Sequence, residues 1–92
     1  MKAINWSPEK NRQLMMERNI CFEDVIFSLQ SGGLLDDSPH PNREKYAHQR
    51  VYTLSVDDYV YLVPYVESDK EIFLKTIVPS RKATKQYLRA KS

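Results

Sequence analysis

The side chains able to do chemistry in this chain fall in three places. His40, Lys45, Tyr46 and His48 crowd one polar stretch, DSPHPNREKYAH. Lys10 follows Ser7-Pro8-Glu9, and Arg81 with Lys82 follows Pro79-Ser80, both of which read as helix starts. Histidine changes charge near neutral pH and can take or give a proton. Lysine and arginine supply charge, and arginine can grip a phosphate with two parallel N–H groups. Metal-free cleavage of RNA needs such a set: a base for the ribose 2′-OH, cations for the phosphorane, and an acid for the leaving oxygen. On this reading Arg81 and Lys10 hold the phosphate, and His48 or Lys45 moves protons.

The last twenty-one residues hold six basic side chains (Lys75, Arg81, Lys82, Lys85, Arg89, Lys91) and no acid. With +2 overall and +6 in this stretch, the remainder carries −4. Arg81 and Lys82 fall in a first helical turn, where the dipole disfavours cations and free amides favour an anion. Lys75, Lys82, Lys85 and Arg89 are the candidates for contacting an RNA backbone. The plainer account of such a run is a solvated basic helix end. Lys10, His40 and His48 likewise have plain readings as surface or loop-shaping residues.

The elements that must position these groups follow from pattern. Ninety-two residues suit one domain over 1–92, with 41% hydrophobic content for a single core. The lone Cys21 excludes an internal disulfide and fits a reducing cytoplasm; it reads as buried packing. No apolar run reaches the ~20 residues of a membrane span. Two histidines and one cysteine lack metal-ligand spacing, so neither a metal nor another cofactor is expected.

Lys2 to Trp6 alternates as a strand. Ser7-Pro8-Glu9 opens a helix to about Arg18, with Leu14 and Met15 inward, and Asn19 closes it. Phe22, Val25, Ile26 and Leu29 form the buried stripe of a second helix, stopped by Gly32-Gly33. Leu34 to Asp37 is a short strand or edge. Three strands follow, His48 to Val56, Tyr59 to Val66 and Glu71 to Val78, and then the basic helix after Ser80. Alternation puts Tyr52, Leu54, Val56, Val60, Leu62, Val66, Ile72, Leu74 and Val78 toward the helices. It leaves Tyr59, Tyr61, Tyr65 and Phe73 on the other face, with Lys75 among the rings. That face is either half-wet and merely rich in strand formers, or a platform for bases or a partner chain. The class is α+β: an antiparallel β-meander, two N-terminal helices on one face, and a C-terminal basic helix.

Three segments carry a family resemblance. They are Ile4-Asn5-Trp6-Ser7-Pro8 with Lys10-Asn11; Phe22-Glu23-Asp24-Val25 after Asn19-Ile20; and Pro79-Ser80-Arg81-Lys82-Ala83-Thr84 with Tyr87. In order and spacing the chain resembles the BrnT-type toxins of the RelE-like group, departing where Arg18-Asn19 stands in place of a His-Gly pair. The resemblance implies a RelE-like fold and the toxin of a bacterial type II toxin–antitoxin pair. Such a toxin is an endoribonuclease that cuts RNA and inhibits translation. Its implied partner is a small antitoxin, often of ribbon-helix-helix type, which neutralises it in a hetero-oligomer and represses the shared operon. The competing expectations are a non-catalytic RNA- or protein-binding module of the same fold, and an operon corepressor.

Overall fold

The computed structural model describes residues 2–88. Its elements are β1 (Ala3–Trp6), α1 (Pro8–Arg18), α2 (Phe22–Gln30), β2 (Leu34–Pro39), β3 (Gln49–Val56), β4 (Tyr59–Glu67), β5 (Glu71–Leu74), β6 (Val78–Pro79) and α3 (Arg81–Tyr87). The strands form one sheet in the order β1-β5-β4-β3-β2, with β6 also paired to β4. The meander β2 to β5 is antiparallel, as expected, and the class is α+β. The sheet is mixed, because β1 joins parallel to β5.

The residues that start α1 and α3, and the one that stops α1, are those read from the sequence. Ser7 caps α1 by accepting the Lys10 N–H at 3.3 Å, and Asn19 ends it in the left-handed region at φ 54°. Asn11 fastens the two helices together. Its carbonyl accepts the Phe22 N–H at 2.7 Å, and its amide donates to Glu23 at 2.9 Å. Ser80 caps α3 by accepting the Ala83 N–H at 3.1 Å. Thr84 accepts the Val60 N–H at 2.9 Å, which ties α3 to the free edge of β4. Trp6 stacks on Phe22 with ring centroids 5.6 Å apart and packs against the core.

One layer of side chains joins the helices to the sheet. Leu14, Ile20, Phe22 and Val25 pack with Tyr52, Leu54, Val63, Tyr65, Leu74 and Ile77. Four expectations need correction here. First, β4 presents the opposite residues to the helices. Val56 pairs with Tyr59 across a two-residue turn, so Leu54 faces Tyr61 and Tyr52 faces Val63. Partners across such a turn have opposite parity, and the alternation could not run through it unchanged. Tyr65 is therefore core, at 1% exposure. An exposed tyrosine platform does not exist on the far face.

Second, the strand expected from Glu71 to Val78 is broken. From Tyr65↔Leu74 to Leu62↔Val78, β4 advances three residues while its partner advances four. The extra residue is a bulge that reverses the alternation. Ile77 turns inward and is fully buried, and Val78 turns outward at 38% exposure. Arg18 satisfies the displaced Ile77 carbonyl at 2.7 Å. Third, Met15 is 45% exposed, because the single buried residue of α1 is Leu14. Fourth, Cys21 is half-exposed, with its thiol and its N–H both on the Asp24 carboxylate.

Candidate functional site

The sheet has two ends, and the candidate residues divide between them. At one end lie the start of β3, the end of β4, and the loop from β2 to β3. The loop is closed by backbone bonds: His40 N–H to Gln49 O at 3.0 Å and Gln49 N–H to Tyr46 O at 3.0 Å. Inside it, His40 Nδ1 accepts the Asn42 N–H at 3.0 Å. An imidazole that accepts at Nδ1 carries its proton on Nε2. The His40 ring lies 4.4 Å from that of Tyr46, and the Lys45 ammonium lies 5.3 Å from the Tyr46 centroid on a side chain held in this loop. Lys45 and His48 are both exposed.

Arg81 belongs to the other end. The Ser80 N–H donates to Val60 O at 2.9 Å, whereas Gln49, next to His48, pairs with Val66. Six residues of strand separate these points, roughly 20 Å at ~3.3 Å per residue. A single phosphate cannot touch Arg81 and His48 at once. The expected four-residue centre is corrected on this ground: Lys45 and His48 share the loop between β2 and β3, and Arg81 stands apart. Lys10 is half-buried in the first turn of α1, which leaves the sheet from edge strand β1, three strands from β3. Lys82 and Lys85 are exposed on α3 beside Arg81, and none of the three has an ion pair among the described residues. Lys75 is exposed, its ammonium 5.6 Å from the Phe73 ring. Arg89 lies outside the described residues.

Three residues absent from the expected set complete the first end: Arg50, Asp37 and Tyr65. Tyr65 donates its hydroxyl to Asp37 Oδ1 at 2.7 Å. Arg50 Nε donates to the same carboxylate oxygen at 3.2 Å and to the Tyr65 hydroxyl at 3.2 Å. Arg50 Nη2 donates to the Asp37 carbonyl at 3.1 Å. Tyr52 stacks on Tyr65, centroids 4.0 Å apart and planes 15° apart. Burial, with the bond to Asp37, pushes the Tyr65 phenol well above its ordinary value and keeps it protonated. The bond to Tyr65, then the Asp37 charge, raises the Arg50 guanidinium further.

One signal in the sequence pointed to Arg50. It falls in phase with Tyr52, Leu54 and Val56, the apolar side of β3. A charge in that phase must find partners or pay desolvation. Asp37 gave no such signal, because its role depends on where β2 lands.

Chemically, this end offers an imidazole at His48, an ammonium at Lys45 and a guanidinium at Arg50. His48 and Arg50 are two residues apart, so their Cα atoms lie within ~7 Å. On the outer face of the sheet a groove of about 450 Å³ is lined by Val51, Thr53, Leu62, Pro64 and Val78, with His40 at its rim. No helix of the described residues is long and apolar enough to cross a membrane. No known protein family, characterised protein or solved structure matches the chain at a significant level.

Proposed function

We propose that the chain is the toxin of a bacterial type II toxin–antitoxin pair, a metal-independent endoribonuclease of RelE-like fold that works in the cytoplasm and halts translation. A small DNA-binding antitoxin, of ribbon-helix-helix type, neutralises it in a hetero-oligomer. The observation that carries the reading is the grouping of Lys45, His48 and Arg50 around the start of β3. Histidine there supplies the proton transfers of 2′-OH attack, and the cations meet the charge of the phosphorane. Arg81, Lys82, Lys85 and Lys75 then serve as contacts to the RNA backbone away from the bond being cut. The three family-like segments support the same reading in another way. Ser7, Asn11, Ser80 and Thr84 each hold a helix or a helix–sheet junction, so these segments specify the fold.

The separation of Arg81 from His48 favours one second reading, a module that binds RNA without cutting it. Induced expression in a bacterial host, with and without a co-expressed antitoxin, followed by mapping of RNA 5′ ends, separates the two. Growth arrest with new RNA ends, relieved by the antitoxin, is expected. Arrest without new ends would leave the binding module, and no arrest at all would remove both the toxin and the translation block.

A further inference from the structure

We infer that the outer edge of the Arg50 guanidinium is the phosphodiester-binding group of the site at the start of β3, and that Asp37 and Tyr65 are positioning residues for it. This rests on the proposal that the chain acts on RNA.

A guanidinium has five N–H donors in a rigid fork. In Arg50 the single Nε–H is shared between Asp37 Oδ1 and the Tyr65 hydroxyl, and one Nη2–H goes to the Asp37 carbonyl. The second Nη2–H and both Nη1–H groups have no partner among the described residues. One free Nη2–H and one Nη1–H lie parallel on the edge away from Nε, where they can bind two oxygens of one phosphate side by side.

The clamp fixes that edge. Asp37 grips Arg50 with two separate atoms, its carboxylate and its backbone carbonyl. Tyr65 braces both groups at once, and its own ring is locked by burial and by stacking on Tyr52. An arginine held this way loses little further freedom on binding. The group stays accessible, with 42% of the Arg50 side chain and 37% of the Asp37 side chain exposed.

The position also suits the chemistry. Arg50 follows His48 by two residues on the strand that emerges from the loop carrying Lys45. A phosphate on its free edge is thereby held at the end of the sheet that carries His48 and Lys45. Asp37 removes one charge of repulsion between Arg50 and those cations, and it contributes no atom to the substrate.

The test uses a short single-stranded RNA with 2′-O-methyl groups, which binds but cannot be cut. Binding to the wild-type protein and to Arg50→Gln is measured over a range of salt. Removing one cation that neutralises a phosphate of a single strand lowers the log–log salt slope by about 0.7. Removing a charge-assisted bidentate pair weakens binding roughly ten-fold or more. Asp37→Asn keeps an oxygen acceptor and should weaken binding less than Arg50→Gln, with the slope unchanged. Phenylglyoxal modification of Arg50 in the native wild-type protein, read by mass spectrometry, covers the case in which Arg50→Gln fails to fold: the RNA should slow it several-fold. An unchanged slope in a folded Arg50→Gln protein, or no protection of Arg50, would overturn the inference even if the RNA is cleaved by wild type. Binding with the expected slope change but without cleavage of unmodified RNA would uphold this site and remove the nuclease. Absence of RNA binding by wild type overturns both.

Discussion

The Tyr65 hydroxyl reaches across β3 to the Asp37 carboxylate, 2.7 Å away, and so joins β4 to the edge strand β2 over the strand between them. The bond depends on a protonated phenol. Burial raises the Tyr65, Tyr52 and Tyr61 phenols above their usual 10.0. A group whose folded pKa is raised contributes stability that is fully present below its unfolded pKa and lost as pH rises past it. The contribution of these phenols to stability should therefore be level from neutral pH to about 10 and fall above it. Tyr65→Phe should cost about 1 kcal/mol at neutral pH, since it removes a bond to a partly exposed charge, and should flatten the alkaline decline. Urea unfolding followed by circular dichroism at a series of pH values measures both. A Tyr65→Phe protein with an alkaline limb as steep as wild type would show that this phenol is not the responsive group.

Asn11 makes a second prediction, because the Phe22 N–H it receives belongs to a fully buried residue. In Asn11→Ala that donor loses its partner at the junction of α1 and α2. The expected cost is about 1–3 kcal/mol. The bond from Asn11 is also the main reason the Glu23 carboxyl lies below its usual value. A depressed carboxyl contributes stability above its unfolded pKa, and the contribution is lost as pH falls through the folded value. Asn11→Ala should thus bring Glu23 back toward 4.5 and reduce the loss of stability in acid. Carboxyl titration by NMR reads the first effect and unfolding at pH 3 to 7 the second. A Glu23 that titrates identically in both proteins would refute the assignment.

The turn at Asp57-Asp58 decides the register between β3 and β4, and it carries strain. Both residues have positive φ, 51° and 63°. Such a pair of left-handed residues is the form that asparagine and glycine favour between two strands. Asp58→Gly should stabilise the protein by a few tenths to about 1 kcal/mol. At Gly33 the sign reverses. A Cβ there would collide with the Ser28 hydroxyl and approach the Ser55 carbonyl, so Gly33→Ala should destabilise by about 1–3 kcal/mol. Thermal midpoints of the two variants should move in opposite directions; a shift of both the same way would contradict the geometry.

This turn also marks what could be read from the sequence. Helix starts were legible because Ser7-Pro8 and Pro79-Ser80 act on their own neighbours. The α2 stripe was legible because Phe22 and Val25 obey one period within one element. The faces of β4 and β6 were not, for two different reasons. The parity change at Asp57-Asp58 follows from a two-residue turn, and counting across it would have given the register. The bulge before Val78 has no local signature, since it answers to β4 on one side and Arg18 on the other. The site divides in the same way. His48 and Lys45 stood in one polar stretch. Asp37 and Tyr65 meet only because β2 and β4 flank β3.

The two ends of the sheet predict two distinct kinds of defect in RNA handling. His48 belongs to the group proposed to move protons, so His48→Ala should lower the cleavage rate by ~10²-fold or more and leave the affinity for uncleavable RNA near wild type. The exposed Arg81 and Lys82 have no ion pair among the described residues and lie roughly 20 Å from that group. Arg81→Ala with Lys82→Ala should weaken binding across RNA sequences and lower the salt slope by about 0.7 for each phosphate that is no longer neutralised. It should leave cleavage at saturating RNA largely intact. Because Ser80 and Thr84 hold α3 to β4 without either cation, the double variant should fold normally. If instead the double variant abolishes cleavage of saturating RNA while His48→Ala does not, the reaction belongs at the α3 end of the sheet, and the assignment made for the start of β3 is wrong.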